Sequence, residues 1–316
     1  MRPEPAHSTT MNLTGIIAAI LSALLMGTIG VFSKITGLPA ETITFFRLML
    51  GACFMLLFLF ATRQTGCLKK WPTWPVLING GMLAGFIIFY VQAMNLTTMA
   101  NAIMLVYLAP LTASIFAHFF LGERLNRASI LLIGAALFGF AMMMEFKIDF
   151  STGSNHFAGI CLALVAMLCY AGFILINRVI KGHVHVFTRT FYQLLTGAVI
   201  MLPFVLASRP VISTENWFWL MGTGLFPGFL AILFAVIALS TLPAATFGTL
   251  AYFEPIAVIL FGWLIFSEAL SPLQIAGCTL ILSSGIVKAW LSAGIRPTQP
   301  GMESEKVTAE LPPRQS

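Results

Sequence analysis

Charged residues are scarce in this sequence. Asp, Glu, Lys and Arg make up 9% of its 316 residues, whereas 59% of the residues are hydrophobic. A soluble domain carries about 25% charged residues, so the charges present are too few to cover a globular surface. Most of the protein's surface must therefore face lipid, which predicts an integral membrane protein.

Motifs for catalysis and metal binding are also lacking. The chain has a single aspartate, Asp149, and contains no P-loop, HExxH or GxSxG motif, so neither direct use of ATP nor hydrolytic catalysis is expected. Its five cysteines form no CxxC pair, which favours free thiols over a disulfide framework or a metal site. We therefore predict that the protein is not an enzyme and has no catalytic residue, metal or cofactor.

The net positive charge does not indicate a nucleic-acid partner. The formal charge is +6, but the 17 Lys and Arg residues are scattered between apolar runs. They form no basic stripe with interleaved aromatic residues, which is what a nucleic-acid surface requires. Nucleic acid is therefore excluded from the expected partners.

Apolar stretches long enough to cross a membrane recur along the chain. An α-helix of about 20 residues crosses the hydrocarbon core. The ten stretches that fit are 13–36, 41–62, 74–96, 99–121, 128–145, 157–179, 186–207, 216–240, 243–266 and 272–292. If the N-terminus is cytoplasmic, 13 of the 17 Lys and Arg residues fall inside, 3 fall outside and Arg47 lies within a span. This bias predicts that both termini face the cytoplasm.

The two halves of the chain resemble each other. Matching segments recur at offsets between 143 and 146 residues, a spread much narrower than chance would give. The matched pairs are Gly15 with Gly159, Lys34 with Arg178, FFRLMLGA (45–52) with FYQLLTGA (191–198), Gly81 and Gly85 with Gly224 and Gly228, YLAP (107–110) with YFEP (252–255), and Gly122-Glu123 with Ser267-Glu268. We call two such residues repeat mates.

Each half holds five predicted spans, an odd number, so the second half enters the membrane in the opposite sense. Such inverted repeats are typical of alternating-access carriers, whose substrate site lies near the midplane between the repeats. We predict an all-α polytopic membrane protein with ten transmembrane helices, built as two inverted five-helix repeats at 13–145 and 157–292. A periplasmic linker (146–156) joins them, and polar tails, 1–12 and 293–316, are predicted to be cytoplasmic and disordered.

Two stretches resemble the EamA domain of the drug/metabolite transporter superfamily. AMNLTTMANAIMLVYLAPLTASIFAHFFLGERLNRASILLIG (93–134) and ALSTLPAATFGTLAYFEPIAVILFGWLIFSEALSPLQIAG (238–277) each resemble its third-to-fifth-helix signature. The resemblance implies a ten-helix carrier in a bacterial inner membrane that exports amino acids or other small polar metabolites, including opine-type metallophores. Ser267 departs from the glycine that is usual in this family, and we expect little consequence because it lies at a helix end.

Two charged residues lie well inside predicted spans, Glu254 and Arg47. A charge in hydrocarbon costs at least about 2.5 kcal/mol and marks a functional candidate. Pro255 removes a backbone hydrogen bond beside Glu254, which predicts a kink there. Glu254 is a candidate for binding a substrate amino group, for carrying a coupling proton or for both, with a structural carboxyl as the alternative. Arg47 either extends to the membrane surface or binds a substrate carboxylate, and the sequence leaves both open.

Further polar residues in the third and fourth spans are candidates for substrate or proton binding. Gln92 and Asn95 are three residues apart and share a helix face. That face is predicted to point inward, because amide groups are costly to expose to lipid. Tyr90 and Asn101 are the other candidates of this region, and contact with a neighbouring helix instead of substrate is the alternative.

Tyrosines precede the two prolines that are repeat-related in the YLAP and YFEP segments. Tyr107 stands before Pro110, and Tyr252 stands before Pro255. Both prolines are predicted to kink their helices, so both tyrosines are expected to flank the kinks and to line the cavity.

Small and acidic residues complete the candidates. The GxxxG-spaced glycines let helix backbones approach closely and are predicted to be helix-packing sites; they are Gly81, Gly85, Gly224 and Gly228. Glu123 and Glu268 lie at helix ends on opposite membrane faces. They are expected to pair with loop cations such as Arg124 or Arg127, or to act as gates.

These patterns favour a secondary transporter (permease) that exports an amino acid or an amino-acid-derived metabolite by alternating access. The expected partners are the small-molecule substrate and membrane lipid, with protons as a candidate coupling ion. The alternatives are an importer or exchanger of another small solute, a non-transporting membrane receptor and a lipid-modifying enzyme. Substrate identity, direction of transport, coupling ion and oligomeric state, including a homodimer, are left open by the sequence.

Overall fold

The chain folds into helices of membrane length. The computed structural model describes residues 7–68, 72–123, 125–147, 154–180 and 184–294. Within these ranges all regular secondary structure is helical. The predicted tails (1–12 and 293–316) and the predicted linker (146–156) lie partly outside the described residues, as does Arg124.

Thirteen α-helices are found in the described part of the chain. Those of the first half are α1 (His7–Thr36), α2 (Ala40–Ala61), α3 (Trp74–Leu96), α4 (Met99–Val106), α5 (Ala109–Leu121) and α6 (Arg127–Met143), with a short 3-10 helix at Thr65–Leu68. Those of the second half are α7 (Ser154–Val179), α8 (Val186–Ser208), α9 (Thr214–Thr223), α10 (Ala231–Thr241), α11 (Ala244–Ala251), α12 (Phe253–Phe266) and α13 (Pro272–Gly294). A π-helical segment, Gly224–Leu230, connects α9 to α10 without a break.

Nine helical stretches of the described chain are long and apolar enough to cross a membrane. Three of them combine two of the α-helices above: α4 with α5, α9 with α10, and α11 with α12. The one predicted span not among these nine is 128–145, which corresponds to α6. Its 17 residues extend about 26 Å at a rise of about 1.5 Å per residue, close to the ~30 Å of hydrocarbon. The predicted helical membrane bundle is confirmed, with α6 at the lower limit of length.

Two of the spans that carry a central proline are interrupted near their middles. The interruptions separate α4 from α5 and α11 from α12, just before Pro110 and Pro255. Proline has no N–H to donate and its ring crowds the preceding turn, so the helical hydrogen bonding does not run through. The hydroxyl group of Tyr252 donates a hydrogen bond to the backbone carbonyl of Tyr107 at 2.6 Å. The breaks of the two repeats therefore meet inside the bundle.

Packing of the first helix in each half shows the internal repeat directly. Gly15 on α1 lies against the α10–α11 hairpin, where a Cβ atom would come within 2.9 Å of the Leu242 side chain. Its repeat mate Gly159 on α7 lies against the α3–α4 hairpin, where a Cβ atom would come within 2.9 Å of the backbone nitrogen of Thr97. Each repeat thus packs its first helix on the hairpin of the other.

Two of the predicted packing glycines, Gly224 and Gly228, do mediate close helix contacts. Both lie in the π-helical segment and face α2, where a Cβ on Gly224 would overlap the Leu50 side chain and one on Gly228 would overlap the backbone carbonyl of Arg47. The absence of a side chain is therefore what allows the second repeat to approach α2 this closely.

In the first half the glycine that makes the close helix contact is Gly80, which the sequence pattern did not single out. A Cβ on Gly80 would lie 2.9 Å from the backbone carbonyl oxygen of Gln193, the repeat mate of Arg47. Gly81 has room for a Cβ, with its nearest neighbour, Ile200, 3.8 Å away, and Gly85 faces the Cys169 sulfur at 3.3 Å. The prediction that Gly81 is a helix-packing site was thus wrong, because the GxxxG spacing does not say which glycine of a Gly-Gly pair faces the neighbouring helix.

Equivalent left-handed turns end α5 and α12. Gly122 has a φ of 67° and its repeat mate Ser267 a φ of 54°, a region that glycine enters at no steric cost and other residues only with strain. The backbone N–H of the next residue then donates to a carbonyl of the preceding helix, at 3.2 Å from Glu123 and 3.3 Å from Glu268. The serine at a position where its repeat mate is glycine therefore carries a conformational cost, contrary to our expectation of little consequence.

We predict that Ser267→Gly raises the melting temperature of the purified protein, because it removes the strain of a left-handed serine, worth about 1 kcal/mol. The matched reverse change is Gly122→Ser, which should lower the melting temperature. No other group lies within 4 Å of a Cβ built on Gly122, so backbone conformation alone is tested. Thermal unfolding in detergent measures both variants, and equal melting temperatures would contradict the strain.

Candidate substrate cavity

A cavity of about 340 Å³ lies among helices of both repeats, within the range of small-molecule sites (about 300–1,000 Å³). Its lining extends from the two helix breaks to one end of the bundle, where the exposed Ser33 on α1 and Ala40 on α2 border it. We call this the Lys34 end, and the opposite one the Arg178 end, after its repeat mate. None of the described residues that line the cavity lies at the Arg178 end, so within the described chain the lining reaches the surface at the Lys34 end.

The two charged residues singled out from the sequence both line this cavity. Glu254 lies in the first turn of α12, directly after the helix break. Arg47 on α2 is 7% exposed, and within the described residues the one partner of its Nη1 atom is the sulfur of Met26, at 3.6 Å. The two charges are close enough to attract each other but form no ion pair. Among the described residues the Glu254 carboxylate has no hydrogen-bond partner, and the Arg47 Nε atom is buried without one.

Tyrosine side chains surround the carboxylate. Tyr90 on α3 and Tyr107 at the first helix break line the cavity, as does Tyr170 on α7. All three lie within electrostatic range of Glu254. Phe86 stacks on Tyr170 with ring centroids 5.0 Å apart and on Tyr90 at 6.2 Å. The site therefore combines one cation, one anion and a wall of aromatic rings.

Two further candidates are buried outside the lining. Tyr252 is fully buried and anchors the backbone of Tyr107 through its hydroxyl group, so the expectation that it lines the cavity was wrong. Asn101 is 4% exposed, and its Nδ2 atom lies 3.4 Å from the His156 ring. Both residues hold helices together beside the site instead of lining it.

The prediction that Gln92 and Asn95 point inward was wrong. Both side chains are exposed, and neither lines the cavity. The helix α3 ends at Leu96, so both amides lie within its last turn or so. Amide groups at that depth reach the polar layer of the membrane surface, where exposure is not costly. The penalty for polar groups in lipid therefore did not apply to them.

A buried polar cluster lies at the Arg178 end, and the arginine at its centre, Arg189, was not singled out from the sequence. Arg189 on α8 is fully buried, and its Nη2 atom donates to the backbone carbonyl and the side-chain oxygen of Asn177, at 3.0 and 2.8 Å. The Gln193 amide donates to the same Asn177 oxygen at 3.0 Å. Asn177 and Gln193 are the repeat mates of Ser33 and Arg47, which line the cavity. This repeat relation to cavity-lining residues is the signal in the sequence that could have identified the cluster.

Ion pairs connect the repeats at both ends of the bundle. Glu123 pairs with Arg178, whose side chain is 5% exposed, and Glu268 pairs with Lys34, whose side chain is 52% exposed. Arg178 and Lys34 are repeat mates, as are the two glutamates. Arg127 is not the partner observed, because each glutamate reaches the end of the first helix of the other repeat, and Arg124 lies outside the described residues.

Comparisons with known proteins agree with this architecture. A solved crystal structure with 22% sequence identity superposes with a TM-score of 0.77, covering 90% of this chain and 99% of that chain. The chain is 28% identical over 276 residues to an uncharacterized transporter of Archaeoglobus fulgidus, covering 87% of this chain and 96% of the relative.

Two further relatives have names that state what they export. The pseudopaline exporter CntI of Pseudomonas aeruginosa is 26% identical over 273 residues, covering 85% of this chain and 93% of the relative. The aromatic amino acid exporter YddG of Ancylobacter novellus is 31% identical over 123 residues, covering 31% of this chain and 43% of the relative.

The family assignment follows from both halves of the chain. The sequence profile of the EamA-like transporter family matches twice, at residues 13–144 and 157–287, which are the two copies whose helices enclose the cavity. This protein therefore belongs to the EamA-like transporter family and is a membrane transporter.

Proposed function

We propose that the protein exports an amino acid or an amino-acid-derived metabolite across the bacterial inner membrane by alternating access. The observation that carries this proposal is the cavity in which Glu254 and Arg47 both lie without forming an ion pair. A zwitterion satisfies both, because its ammonium group can approach the carboxylate while its carboxylate accepts from the forked guanidinium.

The rest of the cavity wall favours a substrate with an apolar portion. Phe86, Tyr90, Tyr107 and Tyr170 present ring surfaces that attract apolar groups, and their faces also attract cations. A strongly hydrated ion or a large sugar would find few hydrogen-bond partners on such a wall. Two relatives are named as exporters, one of aromatic amino acids and one of pseudopaline. These names support export as the direction of transport and a small metabolite as the substrate.

The asymmetry between the two ends supports alternating access. Ser33, Thr44 and Arg47 line the open cavity. Their repeat mates are Asn177, Thr190 and Gln193, and all three are 0% exposed. In an inverted repeat, the two halves can exchange their conformations. The exchange would open the buried polar cluster at the Arg178 end and close the present cavity. The structure then represents one of two related states.

The direction in which the cavity faces follows from the charge bias. Lys and Arg residues concentrate at the Arg178 end and in the tails, which the positive-inside pattern assigns to the cytoplasm. The cavity at the Lys34 end then faces the periplasm, and this conformation is the one that releases an exported substrate. Protons as the coupling ion, with Glu254 as their carrier, form part of this proposal.

The substrate class can be tested in cells. We predict that deleting the protein raises an amino acid or amino-acid derivative in the cytosol and lowers it in the medium, and that overproduction does the reverse. Mass spectrometry of both compartments measures this. Depletion from the cytosol upon deletion would indicate an importer, and no change in any amino-acid derivative would contradict the substrate class.

The carboxylate is tested by Glu254→Gln, which keeps the shape but removes the charge. We predict that counterflow of the identified substrate in proteoliposomes falls at least about tenfold, because a charge-assisted hydrogen bond contributes about 1.5–3 kcal/mol. Glu215→Gln is the control, since Glu215 is exposed at the start of α9 and should transport normally. Wild-type counterflow in the Glu254→Gln variant would exclude substrate binding by this residue, and wild-type accumulation driven by an imposed pH gradient would exclude proton coupling.

The guanidinium is tested by comparing two ligands on one variant. One ligand is the unlabelled substrate, and the other is an analogue of it that lacks the carboxylate; both inhibit counterflow of labelled substrate. We predict that Arg47→Gln weakens inhibition by the substrate about tenfold or more, while inhibition by the analogue changes little. The ratio of the two inhibition constants reports the carboxylate contact and is insensitive to a general loss of protein. An equal change for both ligands would show that Arg47 has a structural role.

A further inference from the structure

We propose that the two ion pairs are clamps that close alternately, one for each end of the cavity. The Arg178 clamp consists of Glu123 and Arg178, and the Lys34 clamp of Glu268 and Lys34. The inference rests on the proposed alternating access, but it concerns residues outside the cavity. In the present structure the Arg178 clamp is closed and the Lys34 clamp is only half formed.

The closed clamp holds an entire hairpin in addition to the ion pair. Glu123 accepts from Arg178 Nε at 2.7 Å and also from Nη2. Its second oxygen accepts from the backbone N–H of Ala244 at 2.8 Å, at the start of α11. Arg178 Nη1 donates to the backbone carbonyl of Leu239 at 3.0 Å, near the end of α10. The clamp thus joins the ends of α5 and α7 to the α10–α11 hairpin.

The half-formed clamp has an ion pair and a ring contact but, within the described contacts, no hydrogen bond to a hairpin. Lys34 Nζ lies 2.5 Å from Glu268 Oε1 and 4.2 Å from the centre of the Phe266 ring. Both side chains of the pair are about half exposed, 52% and 53%. Among the described contacts, neither residue bonds to the α3–α4 hairpin, which is the counterpart of the hairpin held at the other end. The cavity mouth lies on this side.

The repeat identifies the counterparts, on the α3–α4 hairpin, of the two hydrogen bonds that hold the α10–α11 hairpin. The N–H of Leu242 donates to Ala238 at the end of α10, and the N–H of Thr97 donates to Ala93 at the end of α3, which gives an offset of 145 between the hairpins. The counterparts of the Leu239 carbonyl and the Ala244 N–H are therefore the Met94 carbonyl and the Met99 N–H.

The counterpart bonds would close the mouth of the cavity. In the alternate state, Lys34 donates to the Met94 carbonyl and Glu268 accepts from the Met99 N–H. Met94 lines the present cavity, so drawing the α3–α4 hairpin onto the Lys34 clamp narrows the opening. Opening the Arg178 clamp at the same time frees the α10–α11 hairpin and exposes the cluster at the opposite end. The left-handed turns at Gly122 and Ser267 hold the two glutamates in equivalent positions for these roles.

The experiment reads accessibility at matched positions and needs no substrate. Thr44→Cys reports the open cavity and Thr190→Cys its buried repeat mate, each in a background in which the five native cysteines are replaced. A membrane-impermeant maleimide is added from either side of oriented membrane vesicles. In the parent protein we expect labelling at position 44 from the periplasmic side and protection at position 190.

Breaking each clamp should shift accessibility in opposite directions. Glu123→Gln should raise the labelling rate at position 190 from the cytoplasmic side about tenfold, the factor that corresponds to losing one charge-assisted bond, and should lower labelling at position 44. Glu268→Gln is the matched control, the same chemical change at the other end, and should leave position 190 protected. In the double variant, labelling at position 190 should fall back towards the parent rate, because neither closed state is then favoured by its clamp.

A merely structural role gives a different pattern. Partial unfolding would make the double variant more reactive than either single variant, and that result would overturn the proposal. Continued protection of position 190 in a monodisperse Glu123→Gln protein would overturn it as well. If Glu123→Gln does not fold, Arg178→Lys, which keeps the charge but loses the forked contact, takes its place with the same expected shift. Reciprocal labelling without any solute flux would support the clamps and contradict the proposed function, whereas flux with unchanged labelling would do the reverse.

Discussion

The cost of exposing a charge or a polar backbone group to hydrocarbon is the constraint on which this structure depends. It explains why nearly every residue of the spans is apolar and why the two charged residues deepest within the spans, Glu254 and Arg47, border a cavity. The same cost explains where the helices break. The carbonyl groups released before Pro110 and Pro255 lie where the two repeats meet, next to the cavity and away from lipid. The site is therefore located where polar groups are tolerated at mid-membrane depth.

The inverted repeat turns this constraint into a device with two states. The packing of Gly15 and Gly159 on opposite hairpins shows that both halves use the same contacts. A perfectly symmetric protein would open equally to both sides, so a single structure with one open and one closed end must rely on contacts that can be exchanged. Thr44 and Arg47 line the cavity, whereas their repeat mates Thr190 and Gln193 are fully buried. This difference between equivalent positions indicates which contacts are exchanged.

Much of the fold could be predicted from the sequence because hydropathy and the repeat are long-range patterns. The helix ends fall within a few residues of the predicted spans, and Glu254, Arg47, Tyr90 and Tyr107 line one cavity, as a charge or polar group within a span suggested. The predictions that were wrong concern residues whose exposure depends on local geometry. Gln92 and Asn95 are exposed because helix depth, and not residue type, decides the penalty, and Tyr252 is buried because its hydroxyl reaches a carbonyl of the other repeat.

Arg178 and Arg189 illustrate a different limit. Both fit the positive-inside pattern, and that pattern predicts the side of the membrane but not whether the side chain is buried. Arg178 is buried because its guanidinium has enough donors to bind Glu123 and the Leu239 carbonyl together, whereas the ammonium group of Lys34 lacks the forked geometry for such a double contact. In the proposed mechanism this departure from symmetry favours the state that is open at the Lys34 end. The substitution of arginine for lysine between repeat mates would then set the balance between the two states, while the shared architecture supplies the states themselves.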